Sequence, residues 1–311
     1  MTRRAWARIL FAATCGGTAL VALAFLMHLT VRDRFHRPAF FFYATPWSVL
    51  VVATVLLALL WHRRGRRGIA AACTVLSLFA LSCWLAQDWE WRRATTTRGG
   101  LRVVLWNVDR PEQRFPGISH WLRSQEADVL AIAEREPKKR DRLARWKAAF
   151  PGYKVITSHG EMLSLVRGEV LSVEENVLGP GSFSTLLRTR LRGREVLILQ
   201  VDMNGNLPVS RRQPIERIAG IVAAQRAEPL LVLGDFNTPR NSVCFAPLRA
   251  EVSNAFETVG RGYAATWPMP VPVLSLDHIW GNPRLRPVRC EIVSSWHSDH
   301  RALVAEFDFA P

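Results

Sequence analysis

The chain has 311 residues, 49% of them apolar and 12 of them Trp, and Lys and Arg outnumber Asp and Glu 41 to 26 for a formal charge of +15. The aromatic content excludes a disordered chain, and Gly, Pro and Cys at 19, 18 and 5 exclude collagen-like, low-complexity and disulfide-scaffold classes. What remains is a mixed chain, part membrane and part globular.

Three N-terminal stretches lack Asp, Glu, Lys and Arg: Ile9–Val31, Pro38–Trp61 and Gly68–Gln87, of 23, 24 and 20 residues. Each is long enough to cross about 30 Å of hydrocarbon at about 1.5 Å per residue, so three transmembrane helices are expected over about 9–31, 38–61 and 68–87. Trp6, Trp47, Trp61, Trp84, Trp89 and Trp91 fall at or near their ends, where indole rings favour the headgroup region. Arg3, Arg4 and Arg8 share one side with Arg63, Arg64, Arg66 and Arg67; the other side holds Arg32, Arg34, Arg37, Arg92 and Arg93. That excess places the N-terminus in the cytoplasm and, after three crossings, the C-terminal part outside it. Arg93–Gly100 is polar and glycine-terminated and reads as a tether. Residues 1–94 are therefore expected to be a membrane anchor and 95–311 a single catalytic domain.

Within that domain, runs rich in branched residues predict strands over Leu101–Trp106, Val129–Ile132, Val196–Val201, Leu230–Leu233, His278–Ile279 and Leu303–Phe307. Helical spacing recurs over Phe115–Gln125 and Pro214–Arg226. The pattern predicts an α/β sandwich with sheets packed inside and helices outside. Several apolar runs end abruptly in a carboxylate or an amide: Asn107 after VVLW, Glu134 after DVLAIA, and Asp235 and Asn237 in LLVLGDFN; Asp299 and His300 precede the last run. Strand ends of this kind can aim their side chains into one shared cleft. Singly each is an ordinary turn, cap or surface residue; the combination carries the signal.

The order LRVVLWN, DVLAIAE, GDFN, LDHIW and SDHRALVAEF is similar to the endonuclease/exonuclease/phosphatase superfamily, which includes apurinic endonucleases, pancreatic-type deoxyribonucleases, neutral sphingomyelinases and inositol-polyphosphate phosphatases. The resemblance covers Leu101–Phe307 and implies a four-layer α/β sandwich of two mixed sheets flanked by helices. It also implies hydrolysis of a phosphate ester by water. By resemblance Asp235 orients or deprotonates that water, Asn237 donates an amide to the transition state, and His300 contacts a phosphate oxygen while Asp277 sets its tautomer. Asn107, Glu134 and Asp299 offer the hard oxygen ligands that Mg²⁺ prefers, with Mn²⁺ as a substitute, and no Cys/His spacing suits zinc.

Two positions depart from the family pattern. Ala133 precedes Glu134 where a Gln is usual, and the central strand that often ends in His or Tyr reads LILQVDMNGN, placing Asp202 or Asn204 there. An acid at that place cannot donate to phosphate, whereas Asn204 or Asn206 can, and Asp202 can instead serve a metal. Arg167, in MLSLVRGEV, resembles the family's Ser-Arg strand element.

The charge divides into +9 up to Arg93 and +6 beyond it, so most of it belongs to the anchor. Basic clusters at Lys138, Lys139, Arg140, Arg142, Arg145 and Lys147, and at Arg188, Arg190, Arg192 and Arg194, suit either anionic partners or ordinary solvated faces. Cys244 and Cys290 can pair if the domain lies outside the cytoplasm. The expected function is a membrane-tethered, divalent-metal phosphodiesterase, nuclease-like by resemblance, acting on nucleic acid or a lipid headgroup. Two alternatives are a phospholipid phosphodiesterase or phosphatase of the sphingomyelinase kind and a catalytically weak phosphate-binding or scaffold protein. The bilayer is the one further partner expected; no protein partner is implied.

Overall fold

A computed structural model describes residues 2–92, 100–135 and 140–310, without the side chains of Arg3, Arg140, Asp141 and Arg142. The tether residues 93–99, with Glu136, Lys138 and Lys139, lie outside the described residues. The chain divides into two compact units, Met1–Trp89 and Glu90–Pro311.

The first unit contains α1 (Arg3–Leu29), α2 (Ala39–Ala44), α3 (Trp47–Arg63) and α4 (Arg67–Asp88). Among the described residues, two segments are long and apolar enough to cross a membrane: Arg4–Leu29 and Arg67–Asp88, with mean hydropathy 2.2 and 2.1. The expected middle span is not one helix. Pro46 cannot continue a helix and disfavours the helical conformation for the residue before it, so the run breaks into α2 and the 17-residue α3. Seventeen residues cover only about 26 Å. With two candidate spans rather than three, the arginine count no longer sets the C-terminal domain on the side opposite the N-terminus.

Polar groups inside this unit find partners as they must where water is scarce: Trp61 Nε1 donates to Thr18 Oγ1 (2.9 Å) and Arg64 Nη1 to Thr14 Oγ1 (2.7 Å). Apolar side chains on the outer surface stay bare, with Leu20, Leu26, Val75 and Leu78 all exposed. A water-soluble core helix would cover them.

After the two-residue strand β1 (Trp89–Glu90), the second unit runs β2 (Leu101–Asn107), α5 (Phe115–Ser124), β3 (Val129–Ala133), α6 (Arg140–Ala149), β4 (Lys154–Thr157), β5 (Leu163–Val166), β6 (Glu169–Gly179), β7 (Ser182–Leu191), β8 (Arg194–Asp202) and α7 (Arg212–Ala224). It continues with β9 (Leu230–Asp235), α8 (Ala246–Arg249), β10 (Ser253–Asn254), α9 (Ala255–Val259), β11 (Gly262–Tyr263), β12 (Asp277–Gly281), β13 (Leu285–Val293) and β14 (Ala302–Phe309). Two mixed six-stranded sheets result, in the orders β13-β14-β2-β3-β5-β4 and β10-β12-β9-β8-β7-β6.

Strand periodicity sorts the side chains between layers. Leu101, Val103 and Leu105 of β2 face Ile198, Leu231 and Leu233 of the other sheet in the central core. The alternate residues Val104 and Trp106 pack outward against Ile118 and Leu122 of α5 and Trp146 of α6. On the far side, Leu197, Leu199 and Val201 meet Ile215, Ile218 and Val222 of α7. The layers therefore run helix, sheet, sheet, helix. Cys244 and Cys290 are free thiols buried in different layers, so the pairing considered from sequence does not form.

Sheet register then positions the polar strand ends. β2 runs parallel to β3, with Asn107 opposite Ala133, and β8 runs parallel to β9, with Asp202 opposite Asp235. β12 is antiparallel to β9 and pairs its first residue, Asp277, with Asp235. β14 is antiparallel to β2, so the loop just before it returns His300 to the same edge. Four strand ends and two strand starts thus meet at one end of the sandwich.

Candidate active site

Asn107 is fully buried at the end of β2, and its side-chain amide ties two acids together. Asn107 Nδ2 donates to Asp235 Oδ2 at 3.0 Å and to Glu134 Oε1 at 3.1 Å, while its Oδ1 accepts from the Asp109 amide at 3.1 Å. Asp235 Oδ1 accepts from the Asn237 amide at 2.8 Å. Burial first, then the Asp277 charge, push the Asp235 carboxyl up to about 7 against the opposing pull of His300 and these hydrogen bonds. A carboxylate at that value can exchange a proton near neutrality.

His300 Nδ1 lies 2.8 Å from Asp277 Oδ2, both side chains being buried. Burial opposes the charged ring, but the adjacent Asp277 carboxylate, followed by Asp235 and Asp299, outweighs it and pushes the imidazole up to about 10. The ring is therefore cationic at neutral pH, with Nδ1–H donating to Asp277. Ser298 fixes the loop that carries it: its hydroxyl donates to the Asn107 carbonyl (2.7 Å) and accepts from the His300 amide (3.0 Å). Trp106 Nε1 caps the arrangement by donating to the His300 carbonyl at 3.0 Å.

Of the residues singled out from sequence, Asn107, Glu134 and Asp235 form one connected group, and Asp235, Asp277 and His300 another. Ligand atoms of this second trio lie within 4.8 Å of one another. A protonated imidazole has no lone pair to offer, so hard oxygen donors for a divalent cation are better sought at Asn107, Glu134 and Asp299. Asp299 Oδ2 accepts from Trp267 Nε1 at 3.0 Å, and its Oδ1 is buried without a hydrogen-bond partner among the described residues, as is Asp277 Oδ1. Orphaned buried carboxylate oxygens are costly unless something positive meets them, and this donor set fits a hard divalent cation.

Asp202 stands in register beside Asp235. Burial, reinforced by the charges of Asp235, Glu134 and Glu161 and opposed by Arg110, raises its carboxyl well above the usual range. The amides behave differently. Asn204 Nδ2 donates to the Pro180 carbonyl (3.0 Å) and its Oδ1 accepts from the Asn206 amide (2.8 Å), so Asn204 braces a turn. Asn237 Nδ2 donates to the Met203 carbonyl at 2.6 Å.

Arg167 is not at the site. β5 is antiparallel to β3 and pairs Val166 with Val129, so the residue after β5 lies at the end where β3 begins. There Arg167 Nη2 donates to Tyr153 OH (2.9 Å), away from Glu134 at the end where β3 finishes. The second basic cluster is also largely self-neutralised: Arg188 pairs with Glu228, Arg190 with Glu169, and Arg192 with Asp128. Arg145 of the first cluster lies over the Phe115 ring.

Sequence reasoning missed three residues here. Arg110 Nη1 meets Glu134 Oε2 at 2.6 Å, Arg110 Nε meets Glu161 Oε2 at 3.0 Å, and Trp267 holds Asp299. Nothing in NVDRPE or SHGEM marks the first two, because only the folded loops bring them together.

Two sheets with helices outside and an acid, amide and imidazole edge at the strand ends are the architecture of a phosphoesterase fold. The model of the Endonuclease/Exonuclease/phosphatase family matches residues 104–300, well over half of the chain, and the protein belongs to that family. No curated protein sequence matches it. Among solved structures it is similar to an endonuclease/exonuclease/phosphatase family protein from Bacteroides thetaiotaomicron, at 14% identity and TM-score 0.58, covering 68% of this chain and 98% of that one. The mannosyl-6-phosphatase of the same species is similar at 15% identity and TM-score 0.57, covering 68% and 100%. D. rerio TDP2 complexed with a single-strand DNA product is similar at 14% identity and TM-score 0.55, covering 67% and 98%.

Proposed function

We propose that this protein hydrolyses a phosphate ester with the help of a divalent cation, Mg²⁺ or Mn²⁺, and is held at a membrane by its apolar N-terminal helices. The observation that carries the reading is the 2.8 Å Asp277–His300 pair beside Asp235, at the strand edge that also holds Asn107 and Glu134. Glu134, Asn107 and Asp299 would hold the cation, which when bound neutralises phosphoryl oxygens. Asp235, near its midpoint at neutral pH, accepts a proton from the attacking water, and Asn107 and the Asn237 amide hold its two oxygens in place. The cationic His300 ring, oriented by Asp277, donates a hydrogen bond to the phosphoryl oxygen as charge develops there.

Substrate class divides into two readings. Single-strand DNA, as a bound product, and a sugar phosphate are what the names of similar structures print. A lipid ester is favoured by one feature of the loops near Asp299: Trp296 and Val271 are 82% and 71% exposed on two loops that meet where the Met269 amide donates to the Asp299 carbonyl at 2.7 Å. Exposed apolar side chains beside a catalytic loop suit an acyl chain or headgroup interface better than a polyanion.

The purified chain in detergent, supplied with magnesium or with chelator, should be offered plasmid DNA, a sphingomyelin-type lipid and a simple phosphodiester. Magnesium-dependent hydrolysis of one of them, abolished by His300→Ala, is expected. Turnover indifferent to both His300→Ala and Asp235→Asn would sink the assignment, and activity on none of the three would favour a phosphate-binding role.

A further inference from the structure

Both oxygens of Glu134 are already engaged by the protein's own donors. Oε1 takes the Asn107 amide at 3.1 Å and Oε2 takes Arg110 Nη1 at 2.6 Å. A cation that binds Glu134 therefore has to share with, or displace, one of them. Asn107 cannot yield, because it is fully buried and its amide is also bound to Asp235. Arg110 can: its side chain is 53% exposed, and its other anchor, Glu161 at 3.0 Å, is 30% exposed. An ion pair this accessible is worth little in water and is readily exchanged.

The backbone around the pair is built for position rather than comfort. Arg110, Glu134 and Glu161 all adopt left-handed backbone conformations, with φ of 47°, 49° and 58°. Non-glycine residues hold such angles only when the surroundings over-determine them. Here the Arg110 amide donates to the Glu134 carbonyl (2.8 Å) and the Arg135 amide to the Glu161 carbonyl (3.1 Å), lacing three loops into one clamp. Glu134 and Glu161 bring two acids to this side of the site against the one guanidinium of Arg110, so a phosphate entering there needs a donor. A guanidinium released from Glu134 and still tethered beside Glu161 supplies a planar fork of N–H groups suited to phosphate oxygens.

We propose that Arg110 is an exchangeable counter-ion: it covers Glu134 until a divalent cation takes that carboxylate, and the freed guanidinium then binds the phosphate of the substrate. The inference rests on the phosphoesterase reading above. Metal and phosphate then bind cooperatively, because each relieves the arginine of a competing partner, and the coupling is reciprocal.

Isothermal titration of the full chain in detergent with Mg²⁺, with and without inorganic phosphate, tests this without any turnover. In the native protein phosphate should tighten Mg²⁺ binding about fivefold. Arg110→Gln should bind Mg²⁺ alone roughly threefold more tightly, with coupling to phosphate of no more than about twofold. Arg110→Lys, which keeps a single-point cation, should fall between them, and circular dichroism of each variant confirms that it is folded. Unchanged or weaker Mg²⁺ binding in a folded Arg110→Gln, or coupling as large as in the native protein, overturns the proposal while leaving the phosphoesterase reading intact. A native protein that takes up no Mg²⁺ in either titration overturns both.

Discussion

Individual side chains at the site are set by a balance between burial and neighbouring charge. Asp235 is raised to about 7 and His300 to about 10, so the productive state, with Asp235 ionised and His300 protonated, lies between those values. The rate constant kcat/KM should rise as pH passes through about 7 and fall as it approaches about 10, read from a pH-rate profile. Asp277→Asn removes the carboxylate that holds the imidazole proton, so the alkaline limb should move to lower pH. Either His300→Ala or Asp235→Asn should lower kcat by about 10²- to 10⁴-fold, the usual contribution of a positioned acid or base. His278 shows the opposite balance: fully enclosed, with Nε2 2.9 Å from the Thr238 carbonyl, it is lowered by burial from 6.5 to about 4. The unfolded chain then takes up this proton near 6.5 and the folded chain only near 4. Acid should therefore cost stability, about 1.4 kcal/mol per pH unit across that window, measurable by denaturant melts.

At the scale of elements, the site depends on parallel strands ending together. Gly234 lies within β9, in register with Val201 of β8, with no room for a side chain: a Cβ there would meet the Val201 carbonyl oxygen at 1.8 Å. Gly234→Ala must separate the two strands that carry Asp202 and Asp235, so it should destabilise the domain by more than about 2 kcal/mol and lose activity with it. A urea melt and an assay on the same sample check both.

Much of this edge is legible in the sequence because an apolar run that ends in Asn or Asp is unusual, and Asn107, Glu134 and Asp235 stand out for that reason. Strand direction is not written in the same code. Arg167 follows an apolar run just as Asn107 does, yet antiparallel pairing of β5 with β3 carries it to the wrong end of the sheet. The Arg110–Glu134–Glu161 clamp was invisible because it joins loops through left-handed backbone that no local pattern marks. The hairpin of β6 and β7 carries no sequence signal for another reason. Its outer strand is exposed along most of its length, so EVLSVEENVLG lacks the apolar alternation of a half-buried strand.

For the whole molecule, composition misleads until it is resolved along the chain. Most of the +15 charge flanks apolar helices, and Arg188, Arg190 and Arg192 of the domain's second basic cluster are paired with acids, so net charge says little about an anionic partner. The apolar excess is concentrated in α1, α3 and α4, and Pro46 divides the middle stretch so that, among the described residues, two helices of membrane length remain. If those helices are embedded, the full chain should sediment with membranes, resist extraction by alkaline carbonate and be released by detergent. Release by carbonate alone would place it at the surface instead.

The central claim is that this strand-end edge performs cation-dependent phosphoester hydrolysis. Hydrolysis of a chromogenic phosphodiester by the purified full chain, followed through addition of EDTA and then of excess Mg²⁺, tests it most directly. Turnover should stop with the chelator and return with the metal, while a His300→Ala protein stays inactive throughout. Turnover that continues undiminished in EDTA, or that is equal in the His300→Ala protein, would contradict the account.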